Sequence, residues 1–276
     1  MHYGIIIAAG DSKDFVAHAE AAEAAGWDAI FTYETVWGVD AWVTLTAAAM
    51  RTSRIRLGTM LTPVPRWHPW DLAKVTASLD NISGGRVILG TGLGAITPNW
   101  IAFEPDEGRR VRAEKFDEGL DVLFGLWQGQ PFSYEGKHFR AQPTDLHVPG
   151  RPVQRPRIPT WCVGLSGSRK SMARAARCDG LLPNFPGIGP EGGETFQQWV
   201  DVVGEITALR HELGYTGDYD IVYETTTDLA DRAAAVAHAQ RVADAGITWY
   251  LDSDWMAQPD DPFAYQAERI QAGPPR

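Results

Sequence analysis

The chain has 276 residues, 44% of them hydrophobic and 22% charged, and its formal net charge is −10. This composition is typical of a globular protein with a large buried core. An acidic balance, with a sequence pI near 5.1, argues against a nucleic-acid partner, because such binding depends on clustered Lys and Arg. No apolar run approaches the roughly eighteen residues of a membrane span.

The two cysteines, Cys162 and Cys178, have neither the number of a disulfide framework nor the spacing of metal ligands. The chain begins at once with a strand-like apolar run, without the charged region or cleavage site of a signal peptide. We therefore expect reduced core thiols, no metal site, no membrane partner and a cytoplasmic location.

Eight short apolar runs rich in β-branched or aromatic residues predict strands, and helical patterns separate them. The first helix places Phe15, Ala19, Ala22 and Ala25 on one face and ends at Gly26. A second helix is predicted from about Trp42 to Thr52, a later one over Arg110–Trp127, and a hairpin over Phe132–Phe139 around Glu135-Gly136. The predicted strands are Tyr3–Ala8, Ala29–Thr32, Ile55–Leu61, Val87–Gly90, Thr160–Val163, Gly180–Pro183, Ile221–Thr226 and Ile247–Leu251.

Eight strands alternating with helices predict a (β/α)8 TIM barrel, an α/β fold, formed as one domain by residues 1–276. A doubly wound sheet is disfavoured because the first strand is followed by Ala9-Gly10-Asp11-Ser12 and not by a GxGxxG phosphate fingerprint. In a barrel the loops after the strands form the functional face. Two long ones, 91–108 and 183–194, are therefore expected at that face, the second with the Gly and Pro content of a lid.

Two strand ends predict contact with a planar or anionic ligand. Gly90, Gly92 and Gly94 follow strand four, where glycine lets a ligand approach the backbone. Strand five is followed by Ser166-Gly167-Ser168-Arg169 at a helix N-terminus, where free amides and the helix dipole favour an anion. From spacing alone, simple turn residues are the commoner explanation of these glycines, and an ordinary Ser N-cap explains the second segment as well as an anion site does.

Other candidates are aromatic or ionisable side chains near predicted strand ends. Glu34 follows strand two and His68 follows strand three, and each is either a proton-transfer residue or an ordinary loop residue. Four of the eleven tryptophans suit the walls of an apolar pocket, although packing is the commoner role of Trp. These are Trp37, Trp42, Trp67 and Trp100.

The sequence contains no nucleophile elbow, no HExxH helix, no Walker A loop and no carboxylate cluster with metal spacing. Hydrolases and metal-dependent enzymes are disfavoured accordingly. A non-redox barrel such as an aldolase would need a buried Lys or paired acids at strand ends, and no Lys occurs in the eight predicted strands.

Several motifs, in order along nearly the whole chain, resemble the luciferase-like monooxygenase family of flavin- and F420-dependent oxidoreductases. They are Ala22-Glu23-Ala24-Ala25-Gly26-Trp27-Asp28-Ala29, Arg51–Thr59, His68-Pro69, Ser83–Gly92, Leu126–Gly129, Tyr134–Phe139, Pro152-Val153-Gln154 and Cys178-Asp179-Gly180.

The resemblance implies a barrel that binds FMN or the deazaflavin coenzyme F420 at its C-terminal mouth and acts as an oxidoreductase or monooxygenase on a small organic substrate. It further implies a strand-three bulge with a non-prolyl cis peptide at about Met60-Leu61 beneath the ring, a phosphate held at Ser166–Arg169, and a homodimer. The implied cofactor-binding residues are Thr59, Met60, Leu61, Gly90, Thr91, Gly92, Leu93, Ser166, Gly167, Ser168 and Arg169.

The chain departs from this family at two positions. Many relatives carry an acid–His pair after strand two, whereas this chain reads Tyr33-Glu34-Thr35, and Thr35 cannot act as a general base near neutral pH. F420-dependent relatives often have a Glu soon after the strand-four glycines, which this chain lacks. We therefore predict Glu34 and His68 as catalytic residues, and keep as the alternative a degenerate barrel that binds a flavin or small ligand without turnover.

Overall fold

The computed structural model describes residues 1–96, 100–144, 151–188 and 193–276. Eight parallel strands close into a barrel, so the predicted (β/α)8 fold is confirmed. The order around the barrel is β1-β10-β9-β8-β7-β4-β3-β2. The barrel strands are β1 His2–Ile6, β2 Ala29–Thr32, β3 Arg56–Pro63, β4 Val87–Gly92, β7 Thr160–Leu165, β8 Gly180–Asn184, β9 Asp220–Thr225 and β10 Trp249–Asp252, and a separate antiparallel pair is β5 Tyr134–Glu135 with β6 Arg140–Ala141.

In the described part of the chain, eight α-helices accompany the strands. Acceptor side chains at Asp11, Asp40, Thr195, Asp231 and Asp261 cap five of their N-termini, which satisfies amides that have no partner within the helix. The helices are α1 Ser12–Ala25, α2 Ala41–Ala49, α3 Pro69–Ser83, α4 Arg109–Gln128, α5 Arg169–Ala176, α6 Phe196–Glu212, α7 Arg232–Asp244 and α8 Pro262–Ala272.

The alternation of side chains along the strands divides the core into two clusters. One cluster fills the barrel interior with strand residues that include Phe31, Trp161, Val222, Trp249 and Leu251. The other packs the outer faces of the strands against the helices. On each strand, the side chain two residues after the last member of the interior cluster therefore also faces the barrel axis. These side chains lie at the C-terminal end of the barrel, which we call the mouth.

At the opposite, N-terminal end, Glu23 of α1 binds the turn that enters β3. Its carboxylate accepts hydrogen bonds from the backbone amides of Ser53 (2.9 Å), Arg54 (2.6 Å) and Ile55 (2.8 Å). Burial raises the pKa of Glu23, but these hydrogen bonds outweigh it and hold the pKa at about 2. The ionised carboxylate thus fixes the turn between α2 and β3.

Arg86, just before β4, binds the same turn from the other side. Its guanidinium donates to the carbonyls of Ala49 (2.8 Å), Ile55 (2.9 Å) and Thr52 (3.1 Å) and to the Thr52 hydroxyl (2.9 Å). Backbone carbonyls released at the end of α2 are satisfied in this way. Glu23 and Arg86 both belong to the motifs that resemble the family, and both have a structural role here.

The predicted hairpin forms, but its turn lies later than expected. Residues 136–139 make the turn, and Gly136 N–H donates to the Phe139 carbonyl. Glu118 of α4 fixes it by accepting from the amides of Lys137, His138 and Phe139. The second helix also ends at Ala49, three residues before the predicted end, because Thr52 already belongs to the turn held by Arg86.

In the described part of the chain, none of the helices combines the length and apolar character that crossing a bilayer requires. Cys162 and Cys178 are both buried free thiols, as predicted. No group of three or more His, Cys, Asp or Glu side chains is arranged to hold a metal ion among the described residues.

Candidate active site at the barrel mouth

The mouth is shaped by an irregularity in β3. The pairing of β3 with β4 shifts register between Thr59 and Thr62, and the Met60–Leu61 peptide bond is cis. Both features were predicted from the resemblance and are confirmed. Met60 and Leu61 consequently turn towards the cavities at the mouth.

Two glycines of β4 allow this bulge to lie against the neighbouring strand. A Cβ on Gly90 would stand 2.2 Å from the Thr59 carbonyl oxygen, and one on Gly92 would stand 2.8 Å from the Leu61 side chain. No larger residue fits at Gly90 without moving backbone. The spacing predicted room for a ligand, and in the structure the same glycines also make room for the bulge.

Glu34 anchors the bulge from behind. One carboxylate oxygen accepts from Trp67 Nε1 (2.6 Å), and the other accepts from Trp42 Nε1 (3.2 Å) and the Thr62 hydroxyl (2.8 Å). The Thr62 hydroxyl lies 3.0 Å from that of Thr59. The carboxylate is therefore tied to both ends of the bulge.

Burial raises the pKa of Glu34, and the hydrogen bonds from Thr62, Trp67 and Trp42 oppose that rise. An indole N–H only donates, so two of the three partners require acceptor oxygens on Glu34. In this arrangement Glu34 positions the bulge, and it lines one of the mouth cavities with both oxygens already accepting hydrogen bonds.

Two adjoining cavities lie at the mouth and share Leu61, Ala95 and Asn184. The smaller, of about 470 Å³, lies beside β4 and β7 and includes Trp100, Leu93, Arg66, Arg109 and Arg174. The larger, of about 1070 Å³, lies over β8, β9 and β10. Together they have room for a tricyclic ring and a small substrate.

The predicted anion loop follows β7. Ser168 is the N-cap of α5 and makes no side-chain capping hydrogen bond, which leaves the first amides of the helix for another acceptor. Glu205 of α6 reaches this loop, and its carboxylate accepts from the Ser166 hydroxyl (2.8 Å) and the Gly167 amide (3.0 Å). The loop thus binds an anion, which here is a carboxylate of the chain itself.

Arg169, the charged residue of that loop, forms an ion pair with Glu212 on the surface. Hydrogen bonds from Arg169 lower the pKa of Glu212. A phosphate bound at this loop would have to compete with Glu205 and Glu212 for the donors of Ser166 and Arg169.

The predicted aromatic and His residues lie in different places. Trp100 is buried at the smaller cavity between the guanidinium groups of Arg66 (5.5 Å) and Arg112 (5.6 Å). Trp42 and Trp67 hold Glu34, so they support the site from behind.

Two other predicted residues are not brought to the mouth. Trp37 is 83% exposed and lies beside neither mouth cavity. His68 lies before α3 on the outer surface, where its ring stacks on Trp70 at 5.2 Å. Thr91 also faces away, because its hydroxyl donates to the Trp161 carbonyl in β7. The predicted contacts of these three residues with a ligand therefore have no support in the arrangement of the mouth.

Three residues that line the larger cavity were not predicted from the sequence, namely Glu224, Asn184 and Trp255. Glu224 was detectable, since it is a carboxylate near the C-terminal end of a predicted strand. Trp255 follows β10 and could be assigned to the mouth only once the barrel had closed.

Comparison with known proteins agrees with this geometry. A family model described as luciferase-like monooxygenase matches residues 3–272. A Mycobacterium tuberculosis protein named as a coenzyme F420-dependent oxidoreductase is 32% identical over 199 residues, 67% of this chain and 55% of that protein. The chain spans about half the length of the curated relatives it matches in this way.

Two solved structures share the fold across 99% of this chain. The monooxygenase RslO1 from Streptomyces bottropensis has a TM-score of 0.78 at 22% identity, with 97% of its own chain covered. The oxygenating constituent of 3,6-diketocamphane monooxygenase from Pseudomonas putida, in complex with FMN, has a TM-score of 0.75 at 18% identity, with 96% covered.

Proposed function

Because the chain belongs to the luciferase-like monooxygenase family, we propose that it is an oxidoreductase that uses reduced or oxidised F420 or FMN to transform a small organic substrate at the barrel mouth. When bound, the flavin or deazaflavin supplies the redox chemistry. The observation that carries the proposal is the β3 bulge between Thr59 and Thr62, where Leu61 faces both mouth cavities.

The residues of the mouth fit a planar ring. Leu61 and Asn184 contribute to both cavities, so they would hold a ring bound on the bulge together with Leu93 and Val163 of the smaller cavity. The bulge itself is held by Glu34, Thr62 and the close approach of Gly90, so its position is fixed before any ligand arrives.

The loop after β7 supports the phosphate end of the same cofactor. Ser166 and Gly167 already hold a carboxylate, that of Glu205, at the loop where an anion is expected. A phosphate carries more charge and more acceptor oxygens than a carboxylate. We propose that the cofactor phosphate replaces Glu205 at this loop, with Arg169 exchanging Glu212 for the phosphate.

The direct test is a side-by-side titration of the purified protein with FMN and F420, followed by cofactor fluorescence. Micromolar binding of one and not the other would identify the cofactor, and turnover with an electron acceptor or oxygen would establish the enzyme. Binding without turnover would favour a barrel that only carries its ligand, and binding of neither would contradict the proposal.

We also propose a homodimer formed through α2 and α3. The outer face of these helices exposes Val43 (66%), Met50 (71%) and Trp70 (41%) beside a groove of about 760 Å³, and exposed apolar patches of this kind mark association surfaces. Light scattering should give twice the chain mass for the wild type and the chain mass for a Val43→Glu, Met50→Glu variant. A monomeric wild type would contradict this. A cytoplasmic location also stays a prediction.

A further inference from the structure

The barrel interior presents a carboxylate at the mouth that the proposed function has not yet used. Val222 of β9 belongs to the interior cluster, and successive side chains of a strand alternate between its faces. Glu224, two residues further on, therefore faces the barrel axis above Val222. The corresponding residues two positions beyond the cluster on β2, β8 and β10 are Tyr33, Asn184 and Ser253, none of which is a carboxylic acid.

Glu224 is held by one oxygen only. Its Oε1 accepts from the Ser253 hydroxyl (2.9 Å) and from Trp255 Nε1. Among the described residues no donor contacts Oε2. The carboxyl group thus has a fixed orientation and one oxygen left for a ligand, whereas both oxygens of Glu34 are engaged by Trp42, Trp67 and Thr62.

The cavity above Glu224 also contains the bulge. Met60 and Leu61 line it together with Glu224, so a ring lying on the bulge would have Glu224 within the same chamber. The remaining walls combine polar side chains with a larger apolar and aromatic part, which favours a neutral substrate with a substantial apolar portion. They include Phe185, Ile188, Phe196, Trp199, Trp255 and Met256.

The ionisable groups around Glu224 favour its protonated form. Burial raises the pKa of Glu224, the hydrogen bonds from Trp255 and Ser253 oppose this, and the charge of Glu194 raises the pKa further. Asp254, Tyr223 and His238 line the same cavity. Asp254 accepts from Tyr265, and the Tyr223 hydroxyl lies 2.9 Å from His238 Nε2, so these three already have partners.

We propose that Glu224 is the catalytic residue that exchanges a proton with the substrate, through Oε2, and that the substrate is a neutral compound with a substantial apolar portion and a carbonyl or hydroxyl oxygen. This proposal rests on the proposed function. In the reductive direction the proton leaves Oε2 as the O–H bond forms on the carbonyl oxygen, and the carboxylate is reprotonated from solvent. The substrate carbon receives its hydrogen and electron pair from the reduced flavin or deazaflavin, which is oxidised.

The first test uses the protein and the cofactor without any substrate. A ring over the bulge would remove water from around Glu224 and raise its pKa further, so the protein should take up a fraction of a proton on binding F420 or FMN at a pH where Glu224 is partly ionised. Proton uptake is measured with a pH indicator in weak buffer for the wild type, Glu224→Gln and, as matched control, Glu194→Gln. Glu224→Gln keeps an oxygen acceptor for Ser253 and Trp255 but has no proton to exchange.

We expect uptake by the wild type and by Glu194→Gln, with a lower pH midpoint in Glu194→Gln because a neighbouring negative charge is gone, and clearly reduced uptake by Glu224→Gln at unchanged cofactor affinity. Equal uptake by the wild type and Glu224→Gln would overturn the proposal while leaving the proposed function intact. Failure of the wild type to bind either cofactor would overturn both.

The second test measures the rate with a ketone series from acetone to acetophenone and the reduced cofactor. For the ketone turned over fastest by the wild type, Glu224→Gln should lower kcat by about 100-fold or more with KM changed by less than about threefold, and should remove one limb of the pH profile. An unchanged kcat, or a wild type that reduces no member of the series, would overturn the proposal.

Discussion

The two ends of the barrel use charged side chains in opposite ways. At the N-terminal end, the Glu23 carboxylate and the terminal nitrogens of Arg86 bind the turn between α2 and β3, and Arg86 Nε donates to the Ser83 carbonyl. At the mouth, Glu224 Oε2 has no donor among the described residues, and Glu205 occupies a loop whose donors suit an external anion. The charged groups of the N-terminal end therefore stabilise the fold, whereas those of the mouth can change hydrogen-bonding partners when a ligand binds.

This difference explains why the resemblance to the family is clear at the N-terminal end of the barrel, where the residues hold turns and take no part in the proposed function. The motifs around Glu23, Arg54 and Arg86 hold turns at the end of the barrel where residues generally serve stability. A chain can therefore keep them while its mouth changes. The mouth of this chain has Thr35 where many relatives have His, and Glu224 provides an acid from a different strand.

The largest expected effect is on stability at the N-terminal end. Replacing Arg86 with Ala removes the donors for the carbonyls of Ala49, Thr52 and Ile55, and the free energy of unfolding should fall by about 3 kcal/mol. Urea unfolding measures this. Arg86→Lys, which keeps the charge but not the planar fork, should lose part of that stability, and cofactor affinity of both folded variants should match the wild type.

At the mouth the expected effects are on affinity instead. Ser166→Ala combined with Arg169→Ala should weaken cofactor binding at least about tenfold, ~1.4 kcal/mol, because the phosphate loses a hydroxyl and a charged donor. Fluorescence titration measures the Kd, and thermal unfolding should change little because both side chains are near the surface. An unchanged Kd would remove the phosphate from this loop.

Glu205→Gln is the matched variant for which cofactor affinity should change in the opposite direction. The carboxylate that now accepts from Ser166 and Gly167 would be replaced by a neutral group, so a phosphate would no longer displace a like charge. Cofactor binding should tighten by about tenfold. Weaker binding would mean that Glu205 contributes to the site and does not compete for it.

A smaller effect is expected on the pH dependence of stability at the N-terminal end. The pKa of Glu23 is held at about 2, below its ordinary value of 4.5, so its ionised form stabilises the fold above about pH 4.5, and that stability is lost as pH falls towards 2. Glu23→Gln should therefore lower the free energy of unfolding by about 1 kcal/mol at pH 7 and by progressively less in acid. A difference from the wild type that is constant between pH 7 and 3 would contradict this account.

The smallest expected effect is at His68. Its ring stacks on Trp70 on the outer surface, so His68→Ala should change cofactor Kd and kcat by less than about twofold, in steady-state assays run beside the wild type. A hundredfold loss of kcat would restore His68 to the catalytic residues predicted from the sequence.

Sequence periodicity was sufficient for the barrel, because strand and helix patterns are local and all eight strands lie within a few residues of their predicted bounds. The bulge at Met60–Leu61 came from the resemblance alone. Side-chain partners could not be predicted, since the contacts of Glu205 with Ser166 and of Glu34 with Trp67 join residues more than thirty positions apart. Trp37 looked like a pocket residue because strand ends mark the mouth, but its side chain turns outward after β2.

Hydrogen–deuterium exchange with and without F420 or FMN tests the division between the two ends most directly. We predict slower exchange on cofactor binding in the bulge around Met60 and in the loop from Ser166 to Arg169, with no change in the turn from Arg51 to Ile55. Unchanged exchange at the bulge in a protein that binds the cofactor, or protection confined to the turn held by Glu23 and Arg86, would contradict the assignment of the mouth as the cofactor site.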